Sequence, residues 1–277
     1  AVAALLAEKQ VVADARVFER YLEVQGKTTR IQAGTYQFAP DLTHALIAEM
    51  LISPTSQSTD HQVTIFAGST IRDIDAQLVS LGIASSGAFM QAVEEVAHLR
   101  GLPFVEGWFL SGRYQVPVDG DGASLLAIAM QDALNEAVRP YFPALDDLDI
   151  SLADAVIIAS MIQRETNQVL QMADISGVIH NRLRERMPLG IDATIRYGMD
   201  LWDRPLRPSE NQMEHPFNTR RTVGLPPSGI GCPSPAALDA ALHPASHAWF
   251  YYLHDASGAI HFGSTYDDHL ANITRYL

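Results

Sequence analysis

Ser151 to Thr166 reads SLADAVIIASMIQRET, an apolar stretch that carries one glutamate, Glu165, close to its end. Ser151 and Asp154 have capping-box spacing, which predicts a helix start. On a helical wheel Glu165 falls with Ile162, Met161 and Ile158 behind it and Val169 ahead. Gln163 and Arg164 point elsewhere, with Ser160 and Thr166 nearby. Removal from water disfavours the charged form of a carboxylate and raises its pKa. A carboxylic acid still protonated near neutral pH can act as a general acid. The same pattern fits a buried glutamate paired with an arginine, for which Arg182, Arg184 and Arg196 are available.

Other chemistries find less support. Ten histidines invite a metal site, and His243 and His247 stand four apart with His254, His261 and His269 following. Pro244 interrupts the first pair, and neither HExxH nor a cysteine partner is present, so neither metal nor cofactor is expected. No GxSxG or phosphate-binding loop occurs, and Ser228 sits in a Pro–Gly turn without a nearby base. Trp249, Phe250, Tyr251 and Tyr252 alternate as core residues of a strand, whereas Trp108 and Tyr114, flanked by glycines, are candidates for exposed stacking. Asn181, Asp192, Thr194, Tyr197, Asn218 and Thr219 fall at expected helix ends and turns. Such residues cap or make local turns, and they are also what a neutral polysaccharide site uses.

Composition narrows the partners. The chain has 277 residues, 47% of them hydrophobic and 18% charged, which suits a folded protein with a sizeable core. Its formal charge of −13 argues against nucleic acid and against anionic lipid held by basic patches. A glycan would have to be gripped by hydrogen bonds and stacking. A single cysteine, Cys232, rules out an intramolecular disulfide. No apolar run reaches the length that spans a membrane. The opening AVAALLAEKQ lacks a Met and reads as the start of a fragment from which something N-terminal was removed.

These residues need elements to position them. Arg16–Val24 and Thr29–Phe38 alternate as strands, and Leu42–Leu51 reads as a helix capped by Asp41. Gln62–Phe66 is a strand followed by a Gly turn and a helix over Thr70–Leu81. This strand–turn–helix order echoes residues 29–51 as a weak internal repeat. Gly87–Leu99 is helical, and Gly101-Leu102-Pro103 breaks the pattern. Residues 106–117 form an aromatic-rich strand or loop. Helices are predicted over Ser124–Val138, 151–170, Met172–Glu185, Ala236–Leu242 and Asp267–Tyr276, with a short segment over Asp192–Gly198. Trp249–Leu253 and Ile260–Gly263 pair as a hairpin. Residues 203–235 are irregular, and loops of that length are often functional. They are expected to wall an open groove beside Glu165.

Longer motifs now carry a resemblance. ASMIQRET, VIHNRLRERMPLGIDATIRYGM, FNTRRTVGLPPSGIGCPSPAALDAALHP and WFYYLHDASGAIHFGSTYDDH follow one another in an order that resembles the YceG-like family of endolytic murein transglycosylases. AGTYQF, QVTIFAGSTIRDIDAQL and EGWFLSGRY are similar to that family's N-terminal pieces, so the likeness runs from about residue 15 to the end.

The resemblance implies an α+β fold. An N-terminal α/β region over residues 1–106 would include a LysM-like subdomain at about 60–102, and a mixed α+β catalytic domain would occupy 107–277. It implies cleavage inside peptidoglycan glycan strands to 1,6-anhydromuramoyl ends, with Glu165 as the acid and then the base. Asn181, Asp192, Thr194, Tyr197, Asn218 and Thr219 are the implied substrate-binding residues. The family is held by an N-terminal membrane helix, which would put the enzyme on the outer face of the bacterial cytoplasmic membrane, with cell-wall synthases as partners. This chain departs at several motif positions. Gln163 replaces the first acid of Glu-Lys-Glu-Thr, and Ala193 replaces the proline of Asp-Pro-Thr. Phe217-Asn218-Thr219-Arg220 stands for Tyr-Asn-Thr-Tyr, and Leu110 to Tyr114 for Phe-Pro-Asp-Thr-Tyr. Two alternatives remain: a LysM-like binding protein without catalysis, and a hydrolytic muramidase using Asp192 as second carboxylate.

Overall fold

Helices in this protein begin on repeated local chemistry. Thr70 with Asp73, Ser151 with Asp154 and Thr265 with Asp268 each form a reciprocal capping box, in which the hydroxyl accepts from the third backbone N–H and the carboxylate accepts from the first. The computed structural model describes residues 2–32, 36, 38, 42–52, 61–117 and 121–277. The fold is α+β, with twelve α-helices and two small sheets among the described residues.

The chain divides into two compact units. The first comprises residues 1–61 with 117–120. It contains α1 (Val2–Glu8), α2 (Ala15–Val24) and α3 (His44–Ile52), whose apolar faces meet around Leu6, Phe18, Leu22, Ile47 and Leu51. The strand expected over Arg16–Val24 is therefore a helix. Asp14 caps it by accepting from the N–H groups of Arg16 and Val17, and Phe18 and Leu22, four apart, make its buried stripe. Val17 and Val24, which supported the alternation, are exposed. No strand occupies the described part of Thr29–Phe38. Asp41 and residues 33–35 lie outside the described residues, and with them the expected helix cap and much of the repeat.

The second unit comprises residues 62–116 and 121–277. Its first part runs β1 (His61–Ile65), α4 (Ile71–Ser80), α5 (Ala88–Arg100) and β2 (Gly112–Val116), with β1 and β2 paired as one sheet. There follow α6 (Gly122–Val138), α7 (Phe142–Leu148), α8 (Leu152–Glu165), α9 (Val169–Arg184), α10 (Asp192–Met199) and α11 (Pro235–Leu242). A hairpin, β3 (Tyr251–His254) and β4 (Ile260–Gly263), pairs Tyr252 with Phe262 in antiparallel register, and α12 (Tyr266–Tyr276) packs against it. One apolar core runs from Val63 through Phe89, Phe109 and Met130 to Ile158, Ile175 and Leu238.

The border expected at residue 106 falls inside this unit, because the chain on both sides of it feeds the same core. Glu106 and Gly107 lie directly against Gly229. A Cβ on Gly229 would stand 2.6 Å from the Glu106 carbonyl oxygen, so only glycine permits that approach. Helix α8 is the centre of the unit: Ala155 to Ile162 are all buried, and it packs between α9 and α11.

Candidate active site

Glu165 is the last residue of α8. Thr166 leaves the helix in extended geometry (φ −152°, ψ 147°). The Thr166 hydroxyl accepts from the Gln168 N–H at 3.1 Å and donates to Gln171 Oε1 at 2.8 Å, so a new helix begins at Val169. The single helix expected over 151–170 is thus two, and Val169 belongs to the second and is exposed. The glutamate stripe is made by Ile158, Met161 and Ile162, all fully buried.

The Glu165 side chain is half-buried. The Tyr252 hydroxyl of β3 donates to Glu165 Oε2 at 2.8 Å. Burial holds the carboxyl pKa above its ordinary value. The Tyr252 hydrogen bond opposes this, the nearby Asp192 charge adds to it and Arg220 counters it. A position at the negative end of a helix disfavours the anion further. The arginines that could have neutralised Glu165 are used elsewhere. Arg182 donates to the carbonyls of Phe250 and Leu189, each at 2.6 Å, Arg184 to Asn181 Oδ1, and Arg196 to the Arg204 carbonyl. Tyr252 is itself held protonated by burial and by the adjacent glutamate, so it serves as a donor.

The other expected site residues take four different places, and Tyr197 stands apart, its hydroxyl donating to Glu106 Oε2 at 3.2 Å. Asp192, at the start of α10, stands near Glu165 and pairs with Arg220 at 2.6 Å. Asn181 lies behind the site on α9, where its amide donates to the carbonyls of His247 and Trp249, both at 2.9 Å. With Arg182 on Phe250 it clamps the segment that leads into β3 and so sets the position of Tyr252. Thr194, Asn218 and Thr219 are buried, and their polar groups are engaged within the protein. Thr194 donates to the Ile191 carbonyl, and Thr219 accepts from the Ile191 N–H at 3.0 Å. Asn218 donates to the carbonyls of Asn211 and Met213 and accepts from the Arg220 N–H. These three residues shape the irregular segment that carries Arg220. That segment is seated along α8, since the Ile230 N–H donates to Ser160 Oγ at 3.0 Å and the Ser234 N–H to Gln163 Oε1 at 3.3 Å.

Some expectations fail here. Trp108 is buried, and the Tyr114 hydroxyl turns inward to donate to the Leu110 carbonyl, so neither offers a free stacking face. The histidines near the C-terminus each have a local partner instead: His243 meets Asp239, His247 the Asp174 carbonyl, His254 Gln171, and His261 Asp255.

A family model described as the YceG-like family matches residues 1–275. The chain belongs to the YceG-like family. An endolytic murein transglycosylase of Bacillus subtilis (strain 168) is 23% identical over 299 residues, covering all of this chain and 81% of that protein. An endolytic murein transglycosylase of Streptococcus pneumoniae serotype 2 (strain D39) is 22% identical over 247 residues, covering 87% of this chain and 41% of that protein. The crystal structure of a YceG-like protein from Listeria monocytogenes matches with a TM-score of 0.66 at 20% identity, over 98% of this chain and 94% of that one. At that identity the likeness speaks for the fold.

In this YceG-like chain a second carboxyl, Glu106, escaped the sequence reading. It is buried beside the first turn of α4, where both oxygens face the Ile71 N–H at 3.2 and 3.3 Å and Oε2 accepts from the Tyr197 hydroxyl at 3.2 Å. Burial pushes its pKa up to about 7. Tyr252 was missed as well. A tyrosine in an apolar strand reads as core, and no local spacing announces a partner 87 residues away. No helix among the described residues is long and apolar enough to cross a membrane.

Proposed function

We propose that this chain is an endolytic lytic transglycosylase of peptidoglycan, acting outside the cytoplasmic membrane, with Glu165 as its acid and base. The observation that carries the reading is a half-buried Glu165, its pKa raised by burial, held by the Tyr252 hydroxyl and with no direct arginine partner among the described residues. Family membership and the names of the Bacillus and Streptococcus relatives support it.

One carboxyl suffices for this chemistry. Protonated Glu165 gives its proton to the oxygen between N-acetylmuramic acid and N-acetylglucosamine, and the bond from that oxygen to C1 of the muramic acid breaks. The carboxylate then takes the proton of the C6 hydroxyl while O6 bonds to C1. The products are a 1,6-anhydro end and a free N-acetylglucosamine hydroxyl, and Glu165 recovers its proton. The nucleophile is already on the substrate, so its attack is intramolecular. Asp192 is tied to Arg220 and serves better to tune Glu165 than to activate water.

The strand–helix–helix–strand order of residues 61–116, with its two strands paired, supports a LysM-like glycan-gripping subdomain that extends past 102 to include β2. Asn181, Thr194, Asn218 and Thr219 then act on the glycan by positioning Tyr252 and Arg220. Mass spectrometry of peptidoglycan digested by the protein tests the reading. Anhydro ends are expected, whereas reducing ends would mean a hydrolytic muramidase and an uncut glycan a binding protein.

A further inference from the structure

A cavity of about 320 Å³ in the second unit includes Arg72, Glu106, Tyr197, Trp202, His215 and Phe217 in its wall. A second depression of about the same volume, reaching Met90 and Phe104, shares Arg72, Glu106 and Tyr197 with it. Three rings face the first cavity. Tyr197 and Phe217 lie 5.1 Å apart between centroids, and Trp202, 36% exposed, is braced from one side by the Arg164 guanidinium 3.7 Å from its ring centre. A Cβ on Gly198 would stand 2.5 Å from His215 and 2.7 Å from Phe217, so glycine there keeps the wall closely packed.

Glu106 serves the Ile71 N–H but leaves part of its hydrogen-bonding capacity facing this cavity. It is only 8% exposed. Its contacts are long, at 3.2 to 3.3 Å, and one N–H is divided between its two oxygens. Among the described residues only the Ile71 N–H and the Tyr197 hydroxyl donate to it, so it has acceptor capacity to spare in either protonation state. At the first turn of α4 the Thr70–Asp73 box takes the Thr70 and Asp73 N–H groups, and the Ile71 N–H is left to Glu106. Arg72, a cation that acts on Glu106, is engaged by Asp200. A buried acceptor short of donors, beside aromatic faces, suits a ligand that brings N–H or O–H groups on an otherwise C–H-rich ring.

Neighbouring depressions share wall residues with this cavity in turn. The cavity shares His215 with a depression containing Arg221, and that one shares Arg221 with another containing Arg220, the residue paired with Asp192. We propose that the Glu106–Tyr197–Trp202 cavity is a remote glycan subsite for one N-acetylhexosamine ring, packed on Trp202 and donating its amide N–H or a hydroxyl to Glu106. The choice of sugar class rests on the function proposed above.

The test uses Glu165→Gln protein, which should bind without cutting, and peptide-free oligosaccharides of alternating N-acetylglucosamine and N-acetylmuramic acid. Eight sugars should bind at least tenfold tighter than four. Adding Trp202→Ala or Glu106→Gln should remove most of that gain and leave four-sugar affinity within about twofold. Trp202 is the exposed one of the three tryptophans, so its emission should respond to the longer probe alone. Trp202→Ala lies at the surface and covers the case in which Glu106→Gln fails to fold. An undiminished length gain in Trp202→Ala, or equal affinity for the two probes, overturns the subsite. If the length gain appears but unsubstituted protein leaves peptidoglycan uncut, the transglycosylase reading falls and the subsite stands. If neither probe binds, both fall.

Discussion

Tyr252 Oη and Glu165 Oε2 stand 2.8 Å apart, joining the C-terminal hairpin to the end of the central helix. The bond stabilises the glutamate anion and holds one oxygen in place, leaving the other for substrate. Tyr252→Phe should therefore raise the Glu165 pKa and shift the alkaline limb of kcat/KM to higher pH, with a fall in kcat of about tenfold or more. A pH–rate profile of the purified variant checks both. An unmoved limb would separate Tyr252 from the chemistry.

Glu165→Gln should keep the fold and lower glycan cleavage by orders of magnitude, because the amide cannot donate and recover a proton. Gln163→Ala, whose side chain faces Ser234 and Asn167, is the control and should cost far less activity. Release of soluble anhydro fragments measures both variants.

Asp192 and Arg220 pull Glu165 in opposite directions. Asp192→Asn removes the repelling charge and leaves Arg220 unpaired, so the alkaline limb should move to lower pH. Arg220→Ala leaves Asp192 unopposed and should move it to higher pH. Shifts of the same sign in both variants would rule out charge as the cause.

Glu106 predicts a stability profile. Its folded pKa, about 7, exceeds the ordinary 4.5, so folding favours the protonated form. This contribution is full below pH 4.5 and is lost as pH rises through about 7. At 1.36 kcal/mol per pKa unit, the loss is on the order of 3 kcal/mol. Glu106→Gln should flatten this decline relative to the unsubstituted protein, read from urea midpoints between about pH 5 and 8.

Asn218→Ala should destabilise the fold by about 2–4 kcal/mol, since it strips donors from two carbonyls and an acceptor from the Arg220 N–H. Chemical unfolding measures the loss. An unchanged midpoint would make the internal role wrong and return Asn218 to the substrate.

The sequence is informative where structure is local. The Ser151–Asp154 cap and the apolar run after it define α8 because cap and stripe are adjacent, and the β3–β4 hairpin is legible from its turn and short spacing. Arg16–Val24 misleads because a nine-residue segment can alternate and carry an i, i+4 pair at once, and tertiary burial of Phe18 and Leu22 decides. Asn218, Thr219 and Thr194 are legible as polar, but not as spent on the backbone of Ile191, Asn211, Met213 and Arg220. Glu106 and Tyr252 stayed hidden because each acquires its role from a partner far along the chain.

The same distance has a consequence during synthesis. Glu165 leaves the ribosome long before Tyr252, and the strand bearing Tyr252 is unpaired until residues 260–263 follow it. A nascent chain therefore carries Glu165 without the hydroxyl that bonds it, and a prematurely terminated one never acquires that group. Under the function proposed above, completion of the site is in this way deferred until nearly all of this sequence has been translated.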